Sequence, residues 1–175
     1  MKKRIYTYPF LFLLSFVFGC TPIISTELKA RVDSSISFKE IQGNPVAYKG
    51  KIVLWGGEII QVLPQENGTT LVEVLEWPLG FWGQPKETVA FRGKFVVLVK
   101  EPSETSIYKT GNRITLAGEI QGEIQGSKIK DLTDSSYRYP VLLSKELHVW
   151  KYPFYPYSSV PDYSTTTLDY QPTLR

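Results

Sequence analysis

The chain has 175 residues, 42% of them hydrophobic and 14% aromatic, with 20 Lys plus Arg against 17 Asp plus Glu. That length suits one compact domain with flanking segments, and that apolar content can build a core, which excludes wholesale disorder. One Cys and one His exclude an internal disulfide framework and a His/Cys metal cage, and a formal charge of +3 falls short of the clustered basicity of a nucleic-acid binder.

In chain order, Met1-Lys2-Lys3-Arg4 is a basic n-region, and Ile5 to Gly19 follows without a charge. Its densest part, Phe10 to Phe18, is interrupted only by Ser15 and is shorter than the roughly 20 residues that span a bilayer. The pattern predicts a secretory signal peptide over residues 1–19. Its end, Val17-Phe18-Gly19-Cys20, resembles a bacterial lipobox, with Phe18 bulkier than the usual small residue. The resemblance implies cleavage between Gly19 and Cys20, a diacylglycerol thioether on the Cys20 sulfur and a palmitoyl group on the new amino end. Several acyl chains, at about 0.8 kcal/mol per buried CH₂, hold a protein to a membrane without spanning it. Thr21 is not the Asp associated with inner-membrane retention, so the same resemblance implies the outer membrane. Removing Lys2, Lys3 and Arg4 from the 20 basic residues leaves 17, equal to the acids, so the expected mature chain is neutral and carries no electrostatic case for nucleic acid.

Residues 20–35 lack periodicity and read as a lipidated tether. Ser37-Phe38-Lys39-Glu40 has capping-box spacing, predicting a brief helix that ends by Gly43-Asn44-Pro45. Lys51 to Leu63 reads as a long strand, with Gly56-Gly57 marking a bulge or bend. Asn67-Gly68 predicts a hairpin into Thr69 to Leu75. Thr88 to Val99 supplies another strand, with Gly93 as a bulge. In Arg113 to Gly126, period-two alternation puts Ile114, Leu116, Gly118, Ile120, Gly122 and Ile124 on one face, opposite Thr115, Glu119 and Glu123. Val141 to Trp150 reads as the last strand, with Val141, Leu143, Leu147 and Val149 together on one face. The fold class is therefore mainly β: a small OB-like, partly closed antiparallel barrel over residues 36–150 with a short N-terminal helix, and a β-sandwich as the alternative. Residues 151–175 hold four Pro and five Tyr and cannot form a core, which predicts an extended tail, with Tyr152, Phe154, Tyr155 and Tyr157 able to lie back on the barrel.

The lipobox, Asn44-Pro45, Tyr48-Lys49-Gly50, Leu54-Trp55-Gly56-Gly57-Glu58-Ile59-Ile60, Thr70 to Leu75, Pro78-Leu79, Gly93-Lys94-Phe95, Ile114 to Gly118, Tyr139-Pro140-Val141 and His148-Val149-Trp150, taken in this order, resemble the Slp family of outer-membrane lipoproteins. The resemblance covers nearly the whole chain. It implies lipid anchoring, an association with starvation or stationary-phase stress, and no established enzymatic activity; the barrel is expected to face the periplasm.

Chemistry-bearing constellations are sparse. Glu73 and Glu76 could form a glycosidase-type carboxylate pair, but on a strand, residues three apart face opposite ways. Glu119 and Glu123 share a face that reads as solvated. His148 alternates with Glu146 and Trp150, and no phosphate loop or nucleophile elbow occurs. Catalytic residues, metal and cofactor are therefore all expected to be none. Trp77, Phe81 and Trp82 in the segment Glu76 to Gly83 are candidate binding aromatics for an envelope protein or glycan, set against the alternative that Trp55 and Trp77 are core and Phe81 and Trp82 cover a barrel end. Two functional readings follow: a non-enzymatic outer-membrane lipoprotein of envelope maintenance or stress, and a periplasmic glycan hydrolase using Glu73 and Glu76.

Overall fold

The structure, a computed structural model, describes residues 22–86, 92–100 and 107–150. The leader with Cys20, residues 88–91 of the expected third strand, and the tail with Tyr152, Phe154, Tyr155 and Tyr157 lie outside the described residues.

The β-branched and aromatic runs form β1 (Ile52–Pro64), β2 (Thr69–Glu76), β3 (Lys94–Lys100), β4 (Arg113–Gln125) and β5 (Arg138–Trp150). They close into a barrel in the order β1-β2-β3-β5-β4. All neighbours are antiparallel except β3 and β5, which run parallel with Val96, Val97 and Leu98 against Val141, Leu142 and Leu143. This is a closed five-stranded barrel of the OB kind, and a two-layer sandwich is excluded by the closure.

β1 serves two neighbours. Ile52 to Glu58 pair with β4 and Gly57 to Pro64 pair with β2, so the strand turns the corner of the barrel at its paired glycines. A Cβ on Gly57 would fall on the Leu75 carbonyl oxygen, so this close approach of backbones requires glycine. The β1–β2 hairpin turns at Asn67-Gly68 as expected: Gly68 has φ +79°, and the Asn67 side chain accepts from the Thr69 N–H at 3.0 Å.

The interior is apolar and aromatic. Trp55 meets Phe38 and Phe95 edge-to-face, at centroid distances of 4.7 and 5.2 Å. Phe38 and Ile41 arrive from the helix Phe38–Gly43 and join the core inside the barrel. That helix starts as its sequence predicts. The Ser37 hydroxyl accepts from the Glu40 N–H at 3.3 Å, and the Glu40 carboxylate accepts from the Ser37 N–H at 2.7 Å.

Three bulges re-phase the strands. One sits at Ile60 in β1, one at Gln121 in β4 and one at Lys145 in β5, each an extra residue skipped by the register. The face expected in β5 is therefore split: Leu142, Leu147 and Val149 pack with the interior, and Val141 and Leu143 belong to the opposite phase. In β4, Ile114, Leu116 and Ile120 point inward, while Ile124, past the bulge, joins an outer cluster with Leu71, Val96 and Tyr139. Strict alternation cannot register an inserted residue, and one insertion reverses every position after it.

The segment expected to be a tether is packed from Ile23 onward. A helix here called α1, Thr26–Ala30, is capped by Ser25 and lays Ile24 and Leu28 on Ile52 and Ala117 of the outer barrel wall. Ser25 donates to the Glu146 carboxylate from its N–H at 2.7 Å and its hydroxyl at 2.5 Å, and Asp33 N–H donates to Ile52 O at 2.8 Å. Two apolar residues one turn apart are too few to register as periodicity, which is why this contact is invisible in the sequence. The helix Phe38–Gly43 is α2 from here on.

Candidate functional site

β2 places its two acids on opposite faces of one strand. Glu73 has the phase of Leu71 and is fully buried on the outer side. There it accepts from Tyr139 Oη at 3.0 Å, from Thr133 N–H at 3.1 Å and from the Thr133 hydroxyl, with Lys94 Nζ at 3.8 Å. Glu76 shares the phase of Val72 and Val74. It is held by a two-pronged ion pair, Arg92 Nε to Oε2 at 2.9 Å and Nη2 to Oε1 at 2.7 Å. Burial raises the Glu76 carboxyl above the usual range while Arg92 opposes the shift. Each carboxylate is satisfied by its own partners, and the wall of the barrel stands between them.

The other acidic pair is also divided. The bulge at Gln121 puts Glu119 and Glu123 out of phase, correcting the shared face expected for them. Glu119 pairs with Lys145 at 2.8 Å and Glu123 with Arg138 at 3.4 Å. Glu146 is engaged by Ser25, and His148 packs edge-on against Trp150 with ring centroids 4.7 Å apart. Among the described residues no group of three His, Cys, Asp or Glu side chains could hold a metal ion, and no helix is long and apolar enough to cross a membrane.

An open cavity of about 470 Å³ lies between the α1–α2 connection and the start of β1, lined by Lys29, Asp33, Phe38, Trp55, Glu76 and Arg92. Its polar edge is the half-exposed guanidinium of Arg92, fixed from behind by Glu76. Neither Arg92 nor Asp33 carries a motif that sequence reasoning could find.

The three candidate aromatics separate. Trp77 is buried, with Arg113 stacked over its ring at 4.9 Å, and it fastens the loop that follows β2. Phe81 and Trp82 stand at that loop's tip, 89% and 71% exposed, edge-to-face with each other at 5.0 Å. The tip rests on a small hairpin: Trp77 N–H to Gly56 O at 3.0 Å, Lys86 N–H to Pro78 O at 2.9 Å, and Gly80 N–H to Gln84 O at 2.7 Å. From the barrel, the Thr115 hydroxyl donates to Gly83 O at 2.6 Å. Trp55 and Trp77 are core, as that alternative has it, whereas Phe81 and Trp82 stand largely exposed.

The model of the outer membrane lipoprotein Slp family matches residues 17–174. No curated protein matches. Among solved structures, the chain is similar to a putative aspartyl-tRNA synthetase from Leishmania major Friedlin, at 10% identity and a TM-score of 0.37 over 81% of this chain. The chain spans 25% of that structure's length. The family match extends over nearly the whole chain, and the chain belongs to the outer membrane lipoprotein Slp family.

Proposed function

We propose, from membership of the Slp family, that the chain is cleaved between Gly19 and Cys20, lipidated on Cys20 as a diacylglyceryl, N-palmitoyl cysteine, and held on the outer membrane with its barrel facing the periplasm. The observation that carries this is Val17-Phe18-Gly19-Cys20, which closes a charge-free apolar run at the point where the family match begins. In this reading residues 1–19 are the signal peptide, residues 36–150 the barrel domain, and residues 151–175 a Pro/Tyr-rich tail.

The barrel acts without catalysis, as a tethered contact module in envelope maintenance under starvation or stationary-phase stress. The separation of Glu73 from Glu76 supports this over the glycan-hydrolase alternative, because an acid and its base or nucleophile must flank one bond. Labelled palmitate tests the anchor. Wild-type protein takes up the label and fractionates with outer membrane, whereas Cys20→Ser abolishes incorporation and accumulates as the precursor. Normal labelling of Cys20→Ser, or wild type sedimenting with inner membrane, overturns the reading. Loss of glycan-cleaving activity in Glu76→Gln with an unchanged melting curve would overturn the non-catalytic part.

A further inference from the structure

The exposed aromatic tip and the start of the packed chain are in contact. Gly83, one residue beyond Trp82, has φ +80°, and a Cβ there would meet the Ile23 side chain at 2.6 Å. Ile23 is three residues from Cys20, and three residues of chain reach at most about 11 Å. The next residue, Ile24, is buried on the barrel wall, so the anchoring end leaves the barrel beside the tip.

We infer that Phe81 and Trp82 form a second membrane contact, entering the headgroup–acyl boundary of the lipid surface to which Cys20 is attached and fixing the barrel's orientation on it; this rests on the Cys20 anchor. Trp is favoured at that boundary because its ring is apolar while its indole N–H still finds a polar partner. The tip is also built in advance. Its backbone hydrogen bonds and the Thr115 contact hold Phe81 and Trp82 outward, so ordering the loop costs little on contact. The tether supplies the remaining condition: an anchor within about 11 Å of chain keeps the lipid surface at high effective concentration for the tip. A glycan, a protein or a second copy would have to compete with that surface at the same end of the molecule.

The test uses the full chain purified from envelopes of palmitate-labelled cells, reconstituted into phosphatidylethanolamine/phosphatidylglycerol vesicles with and without acyl-brominated lipid, which quenches tryptophan by contact. Expected are labelled wild-type protein and a quenched component of its emission that disappears in Trp82→Phe, with the melting curve unchanged because the side chain is exposed. Labelled, vesicle-bound protein without quenching, or quenching that survives in Trp82→Phe, overturns the membrane contact and leaves the anchor standing. Wild type without label overturns the anchor, and the membrane contact with it.

Discussion

Raising the pH should weaken this barrel in part through one tyrosine. Tyr139 is fully buried in the outer cluster, where its hydroxyl donates to Glu73 at 3.0 Å and accepts from Asp134 N–H at 3.2 Å. Burial, and then the neighbouring Glu73 carboxylate, push its pKa up to about 12 from the ordinary 10.0. A folded-state pKa above the unfolded one means that the unfolded chain loses its proton first. The stabilisation is therefore whole below pH 10 and drains as pH rises toward 12, by roughly 3 kcal/mol at most. Urea titrations from pH 7 to 12 on wild type and Tyr139→Phe isolate the effect of this proton, since the other tyrosines and the lysines cancel in the difference. At pH 7, Tyr139→Phe should be weaker by about 1.5–3 kcal/mol, the worth of a hydrogen bond to a charged acceptor. Near pH 12 the two curves should converge. A gap that stays constant across the range would refute the reasoning, because Tyr139 would then ionise as if it stood in water.

Gly57→Ala forces a methyl onto the Leu75 carbonyl and should lower the melting temperature by about 10 °C or more, whereas Gly43→Ala, with nothing near its Cβ, should be neutral or stabilising; thermal denaturation read by circular dichroism compares them. Trp55→Ala empties the space between Phe38 and Phe95 and should cost about 3–5 kcal/mol in urea unfolding, together with the near-ultraviolet signal of that aromatic group. Glu146→Ala frees Ser25, so amide exchange in Thr26–Ala30 should accelerate about tenfold with the strands unaffected, as resolved by mass spectrometry. The two bonds from Ser25 hold the Glu146 carboxyl below its usual range, so in wild type the tie is intact above the ordinary carboxylate pKa and is lost as pH falls through the lowered one.

What was legible in the sequence was what local chemistry dictates. The Ser37–Glu40 capping box, the Asn67-Gly68 turn and the Gly56-Gly57 corner each depend on residues within a few positions of one another, and each stands where its pattern put it. The barrel class followed from strand count and glycine placement. Phase was legible only up to the first bulge: Ile114, Leu116 and Ile120 face inward as alternation requires, and Ile124 does not. The packing of Ile24 and Leu28, the Ser25–Glu146 tie and the Arg92–Glu76 fork were hidden because they join residues with no periodic neighbours. At the site, geometry divided what sequence had grouped. Trp77 supports the loop, and Phe81 and Trp82 present it.

The parallel seam between β3 and β5 has a kinetic consequence. Val96 meets Val141 across 45 positions of chain, and β5 also makes the long pairing with β4. Until Arg138 to Trp150 are available, β3 and β4 each keep an open edge, and such edges recruit other strands. A chain exported N-terminus first, as the proposed anchoring requires, thus cannot complete its barrel before Trp150 has emerged. High contact order of this kind slows folding, which keeps a translocating polypeptide threadable and makes a chain cut short within β5 prone to aggregate.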